Sequence, residues 1–296
     1  MNNWILCALA LCFFVTLRFQ GDVKSNFGMR KLDVSISNHL SRILDELNSI
    51  RHDFHNVSRL LQREKNAGNN FHIKREIHYR QMNKQKENMN NALSESGRAY
   101  FQSHWEPTWK CELEERIGGF GDGGKWVCDA NLLKEKEGNC HIISIGSNND
   151  FSFEHEVHKY FPRCKISVFD HTVANPSPPP YVDYFSFGLG SENNLQIITL
   201  ETAFKKAGVS PQEGVDILKI DCENCEYDVY PQFISSKYAI SQILIEIHFR
   251  DSASAHQLFQ AMTNNNYVIF HKESNTIGCS GDCVEYGFLK LNVNDI

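Results

Sequence analysis

Along the chain, apolar and polar positions fall into two different rhythms. Ile36, Leu40, Ile43, Leu47, Ile50, Phe54, Val57 and Leu61 alternate spacings of four and three without a break, a heptad seam that predicts a coiled coil. The other reading is an amphipathic helix packed on its own domain, although a two-position stripe is narrower than a core-facing helix usually shows. From Cys140 onward the rhythm changes to short apolar runs separated by amphipathic segments. His141 to Ile145, Ile166 to Phe169, Asp183 to Gly188, Val215 to Ile220 and Ser241 to Phe249 read as strands. Phe151 to Tyr160, Leu200 to Ala207, Tyr227 to Phe233 and Ala253 to Asn264 read as the helices between them, and Gly208 ends the second. Tyr267 to His271 and Glu285 to Leu291 can close the sheet as an antiparallel pair. Strands alternating with helices predict an α/β domain with a mostly parallel sheet and helices on both faces.

Two further stretches complete the layout. Trp4 to Leu17 is an uncharged apolar run, shorter than a comfortable bilayer span and about as long as the core of a signal peptide, so residues 1–21 read as a signal peptide or signal-anchor. Residues 64–98 are rich in Asn and Lys with few apolar positions, and predict a flexible or partly helical stem whose His72 and His78 are solvated. The expected organisation is therefore a signal or anchor over 1–21, a coiled-coil stem over 30–63, a linker over 64–99 and a folded domain over 100–296.

An apolar content of 41% agrees with part of this chain lying outside any core. Charge divides unevenly: residues 1–100 hold fifteen Lys and Arg against nine Asp and Glu, and the remainder holds fifteen against twenty-seven. An acidic domain of this kind argues against a nucleic-acid partner, because phosphate binding relies on clustered Lys and Arg. Of ten cysteines, two (Cys7 and Cys12) lie in the apolar run, and the even eight beyond it favour an oxidising compartment with disulfides. Pairing is not legible from sequence; proximity alone suggests Cys111 with Cys128 and Cys279 with Cys283. Asn56-Val57-Ser58 is a glycosylation acceptor, with Asn56 beside the seam, where a glycan fits. Arg18, Lys24, Arg30 and Lys31 all follow the apolar run, which taken alone would keep the domain cytoplasmic. The cysteines and the sequon outweigh this and place it in the ER or Golgi lumen, anchored in the membrane if the segment is uncleaved, or outside the cell.

Candidate chemistry gathers at strand ends. Gly146 opens a Ser- and Asn-rich turn after the first strand, and Asp170 closes the second strand, placed to accept hydrogen bonds from ribose hydroxyls. Gly146 stands alone, so the turn is not a dinucleotide fingerprint, and a purely structural βαβ unit is the plainer reading. Gly119 to Lys125 formally fits a phosphate loop but lacks the strand before it and the Ser or Thr after the Lys. A covering loop is the better reading, with Lys125 or Arg116 available to an anionic group. Asp221 ends the fourth strand, and Glu246 and His248 lie within and at the end of the fifth, so these residues should converge at the ligand crevice. Carboxylates beside a histidine can act as a general base, hold a divalent cation or bind ligand hydroxyls. Alternatively, Lys219 and Glu246 merely form an ion pair inside the sheet. Cys222-x-x-Cys225 with Cys279-x-x-x-Cys283 has the composition of a zinc site; a redox pair would need a helix N-terminus and a thioredoxin-like order of elements.

The run VDILKIDCENCEYDVY resembles the K-I-D-x-E-G-x-E signature of FkbM-type S-adenosylmethionine-dependent methyltransferases, and TLETAFKKAGV and ILIEIHF resemble the segments that flank it. GDGGKWVCD and SIGSNNDFSFE are similar to animal methyltransferase-like membrane proteins of that superfamily, and the resemblance covers about Trp105 to Leu291. It implies a Rossmann-like methyltransferase fold with an antiparallel C-terminal hairpin, and S-adenosylmethionine as cofactor, with a divalent metal as an open addition. Gly146, Ser147 and Asn148 would lie under the methionine moiety, with Asp150 in the same cofactor-binding set and Asp170 on the ribose. The chain departs from the signature at Asn224, where the usual residue is Gly, and at Cys225 beside it. The implied reaction is in-line methyl transfer to an oxygen of a sugar or other small molecule. From the converging strand ends, His248 is the expected base, with Asp221 orienting it, holding the acceptor hydroxyl or binding a metal, and Glu246 beside them. Two alternatives share the layout: a catalytically silent module that oligomerises through its stem, and a lumenal glycosyltransferase, which the lack of a D-x-D weakens.

Overall fold

The computed structural model describes residues 27–88, 97–136, 139–276, 279 and 282–291. The apolar run at 1–21 lies outside them, and among the described residues no helix is long and apolar enough to cross a membrane. The chain divides into two compact units, Met1–Gly68 and Asn69–Ile296.

Helix α1 (Phe27–Asn88) runs without interruption through the predicted coiled-coil segment and most of the predicted linker. In the first unit, Leu40, Ile43, Leu47, Ile50, Phe54 and Val57 are all exposed, as is Leu44 beside them. In the second unit the helix is part of the folded domain. Phe71 meets the Trp109 ring edge-on, Lys74 pairs with Glu112, and Gln85 exchanges two hydrogen bonds with the Glu106 backbone. Met82 is buried. His78, expected to be solvated, is buried with Nδ1 2.7 Å from Thr108 Oγ1, and burial pulls its pKa down to about 4. Residues 69–88 are therefore an integral helix of the domain, although their sparse apolar positions predicted a linker. Scattered apolar contacts of Phe71 and Met82, together with polar contacts made by long side chains, hold it, and these leave no hydrophobic period to read.

After α2 (Gly97–Ser103), strands β1 (Glu114–Ile117) and β2 (Lys125–Cys128) form an antiparallel hairpin, which Cys111–Cys128 ties at its base. Short helix α3 (Asn131–Glu135) leads into β3 (Cys140–Ile145), α4 (Ser152–Tyr160) and β4 (Cys164–Phe169). Strand β5 (Val182–Phe185) and the short pair β6 (Gly188–Leu189) and β7 (Ile197–Ile198) precede α5 (Leu200–Lys206). Then follow β8 (Val215–Ile220), α6 (Glu226–Ser235), β9 (Ile240–His248) and α7 (Ser252–Asn264). The hairpin β10 (Tyr267–Asn275) and β11 (Cys283–Lys290) completes the chain.

The main sheet has seven strands in the order β10-β11-β9-β8-β3-β4-β5, with β11 antiparallel to both neighbours and β9, β8, β3, β4 and β5 parallel to one another. This is the Rossmann-like methyltransferase arrangement, with its antiparallel C-terminal hairpin. Strands β3, β8 and β9 are buried on both faces, so they read as nearly continuous apolar runs. Chain order reverses between β3 and β8, which pair directly with Ile142 opposite Ile217, and this switch point opens a crevice at the carboxyl strand ends.

The sheet's two faces are packed differently. One carries Ile143, Ile145, Leu218, Ile220, Ile243, Ile245 and Ile247 against α5, α6 and α7. The other carries Ile142, Ile217 and Leu244, and the same period of two adds Ser144, Lys219, Gln242 and Glu246. Gln242 fastens the β1–β2 hairpin to that face, accepting from the Cys128 N–H at 2.9 Å and donating to its carbonyl at 2.7 Å.

All eight described cysteines are paired. Cys111–Cys128 and Cys279–Cys283 join the neighbours in sequence, Cys140–Cys164 links the starts of β3 and β4, and Cys222–Cys225 closes the loop after β8. The four cysteines considered for zinc are thus consumed within their own pairs. Cys225 immediately precedes α6, so a helix N-terminus does adjoin this C-x-x-C.

Candidate active site

The turn after β3 is shaped by its neighbours. Gly146 has φ +80°, and a Cβ there would stand 1.8 Å from the Asp221 carbonyl oxygen, so close approach of the β8 end demands glycine. Its N–H donates to Phe169 O at 2.9 Å, and its carbonyl accepts from Lys219 Nζ at 3.3 Å. Asn148 and Asn149 follow in the left-handed region, which Asn tolerates better than most residues.

Asp170 holds this turn. One carboxylate oxygen accepts from the Ser147 N–H and the Asn148 N–H, both at 2.8 Å, and from Ser147 Oγ at 3.3 Å. The other accepts from Thr172 N at 2.8 Å and Thr172 Oγ1 at 2.6 Å. Burial works against the charged form, but the hydrogen bonds from Thr172, Ser147 and Asn148 outweigh it and pull the pKa down to about 2. The aspartate expected on a ribose is thus engaged by the turn itself, and ribose hydroxyls would share an ionised carboxylate with those donors. Asp150 Oδ1 accepts from the Ser152 N–H at 2.8 Å at the start of α4.

The glycine-rich loop covers this region. Gly118 donates to Glu156, and a Cβ on Gly123 would meet Asp150 at 2.9 Å. Neither basic residue considered for an anionic ligand is available. Arg116 pairs with Glu273 and donates to the carbonyls of Gly119 and Gly121. Lys125 is buried in β2, where it pairs with Glu285 and lies 3.8 Å from Asp221. Burial opposes its charge, yet Glu285 and Asp221 overcome this and raise its pKa.

At the ends of β8 and β9, Asp221, Glu246 and His248 come together as the strand-end rule predicts, with one ligand atom from each within 4.8 Å of the others. Burial, then repulsion from Asp221 and Glu285, lifts the Glu246 pKa to about 8 despite Lys125. Asn275 Nδ2 donates to it at 3.0 Å. His248 Nδ1 lies 2.7 Å from Glu226 and Nε2 lies 3.3 Å from the exposed Glu223. Burial lowers the His248 pKa, but the bond and charge of Glu226, with Glu246 and Glu223, push it up to about 9. The imidazolium is therefore the resting form, and service as a base requires the prior loss of a ring proton.

Lys219 does not pair with Glu246. It faces Glu154 of α4 at 3.8 Å, which is itself bonded to Ser144, and so fastens β8 to the turn at Gly146. Glu223 and Asn224 both have positive φ, at 54° and 81°, and Cys222–Cys225 spans them. Asn224 thus adopts the conformation for which the signature uses Gly. Sequence reasoning missed Glu226 as the partner of His248, although it is the last Glu of the quoted signature. It considered Lys125 only for an anionic ligand, and it missed Glu285 and Glu154, which no local signal marks.

The residues fit a nucleoside methyl donor in kind: a turn tied to two strand-end aspartates at the switch point, with exposed Asn148 and Asn149 amides and a partly exposed Asp221. Asp221, Glu246 and His248 each offer a ligand atom close enough to share a divalent cation.

Residues 64–290 match the model of a family described as "Methyltransferase domain", and the chain belongs to that family: it is a methyltransferase by class. No curated protein matches it. Among solved structures it is similar to a ribosomal RNA methyltransferase from Plasmodium falciparum, at 14% identity and TM-score 0.36 over 55% of this chain and 91% of that one. It is also similar to fibrillarin from Aeropyrum pernix, solved with natively bound S-adenosyl-L-methionine, at 13% identity and TM-score 0.34 over 61% and 84%. A third is the N-methyltransferase NodS from Bradyrhizobium japonicum, at 11% identity and TM-score 0.29 over 55% and 93%.

Proposed function

We propose that this methyltransferase works in the secretory pathway and methylates a hydroxyl oxygen of a sugar or other small molecule. The convergence of Asp221, Glu246 and His248 beside the Asp170-held turn carries this reading, because it sets a histidine and two carboxyl groups next to the cofactor edge. Pairing of all eight described cysteines and the sequon at Asn56 support the compartment. The acid excess of the domain supports an acceptor that is not a polyanion. The resemblance to FkbM-type enzymes is carried by the K-I-D block and its flanks, and that to animal membrane methyltransferase-like proteins by GDGGKWVCD and SIGSNNDFSFE.

Bound S-adenosylmethionine supplies a methyl group already activated as a sulfonium. What remains for the chain is alignment and removal of one proton. Asp221, partly exposed beside Lys125, helps hold the acceptor so that its hydroxyl proton points to His248. His248 takes the proton after losing its own, with Glu226 stabilising the imidazolium that results.

Isothermal titration with S-adenosylmethionine tests the cofactor step: saturable binding to the wild-type chain, weakened in Asp170→Asn, is expected. Absence of binding would favour a silent module. An acceptor screen with isotopically labelled donor between pH 6 and 10 tests the chemistry, and turnover should climb as pH rises toward about 9, where His248 loses its proton. Full turnover in both His248→Ala and Asp221→Ala would sink the assignment.

A further inference from the structure

The apolar stripe at the start of α1 defines its own partner. In a heptad the step from a to d is three residues and the step from d to a is four. The spacing therefore sets Leu40, Leu47, Phe54 and Leu61 at a, and Ile36, Ile43, Ile50 and Val57 at d. Leu40, Ile43, Leu47, Ile50, Phe54 and Val57 are between 42% and 69% exposed, a contiguous unpartnered surface of the kind that marks an association site. Leu at a with Ile at d is the arrangement that disfavours two-stranded packing, because the β-branched side chains fit the d geometry of larger bundles. Leu44 at e is also apolar and 55% exposed. It widens the stripe on one flank beyond what a two-helix seam covers.

Charge complementarity sets the direction. In a parallel, in-register bundle each g residue faces the e residue five positions later on the adjacent copy, which brings Glu46 opposite Arg51. An antiparallel arrangement sets g against g, and its acids Glu46 and Asp53 would then face one another. Asn56 falls at c, away from the seam, so a glycan there leaves assembly unobstructed.

We propose that residues 36–61 associate with further copies of this chain as a parallel, in-register coiled coil of about three or four helices. This stands apart from the methyl-transfer reading. Sedimentation equilibrium of the full chain in density-matched detergent should give about three or four times the mass of one chain; one or two would overturn it. Exchange of the layers (Leu40→Ile, Ile43→Leu, Leu47→Ile, Ile50→Leu) keeps the apolar composition and should reduce the assembly to about two chains, and an unchanged mass would contradict the layer assignment. Leu47→Glu with Ile50→Glu should leave single chains, and an assembly that survives is held elsewhere, against the proposal. Glu46→Arg or Arg51→Glu alone should raise the concentration of half-assembly, and the two together should restore it. Failure of restoration would overturn the parallel register.

Discussion

The two faces of the central sheet are built from the same strands yet hold together by different physics. On the face toward α5, α6 and α7 the strand residues are isoleucine and leucine, and the helices add Phe204, Leu258 and Phe259. Burial of such side chains contributes about 1.5–3 kcal/mol each and does not depend on pH. On the opposite face Lys219, Glu246 and Glu285 are buried with Glu154 and Lys125 packed onto them. Those charges cost desolvation, and only their mutual pairing makes the arrangement tenable. One face is thus a source of stability, while the other holds ionisable groups near the strand ends, with the pKa values of Lys125, Glu246 and Glu285 raised.

The sharpest way to break this contrast is a pair of substitutions of similar cost and different repair. Phe259→Ala removes a fully buried ring that stacks 4.8 Å from Trp105 and should cost about 3–5 kcal/mol in denaturant unfolding, at every pH. Lys125→Met should cost about 3–5 kcal/mol as well, because Glu285 and Asp221 lose their cation. Adding Glu285→Leu to Lys125→Met should recover most of that loss, since replacing both members of a buried pair is often nearly neutral. No recovery in the double variant would mean that the polar face is held by something other than this pairing.

A smaller effect sharpens the contrast at His248. Its folded pKa of about 9 lies above the unfolded value, so the stability it contributes is complete below about pH 6.5 and is lost as pH rises through about 9. Glu226→Gln should lower the His248 midpoint, read from its imidazole proton resonances, by about one unit or more. The same variant should flatten the alkaline limb of the stability curve, and Phe259→Ala should leave both readouts in place.

Much of the fold was legible because its cause is local. Alternation of apolar runs with amphipathic segments located the five parallel strands and the closing hairpin within a few residues, since burial on both faces leaves little room for polar positions. The site was legible in part: the strand-end rule brought Asp221, Glu246 and His248 together from three residues in two separate segments. Within the expected linker, residues 69–88 dock on the domain through Phe71, His78, Met82 and Gln85, and mixed chemistry of this kind has no period to read.

The sequence by itself determined the heptad stripe, the order of strands and helices, and the strand ends at which chemistry would gather. Only the tertiary structure decided which charges meet. Lys125 enters the acid cluster because Gln242 fastens a hairpin more than a hundred residues earlier in the chain onto β9. Lys219 turns to Glu154 because α4 packs over β8, and Asp170 holds the turn at Ser147 because the ends of β3 and β4 lie side by side. Periodicity and propensity act over a few residues, whereas the partner of a buried charge is set by register between distant elements, and no local pattern encodes it.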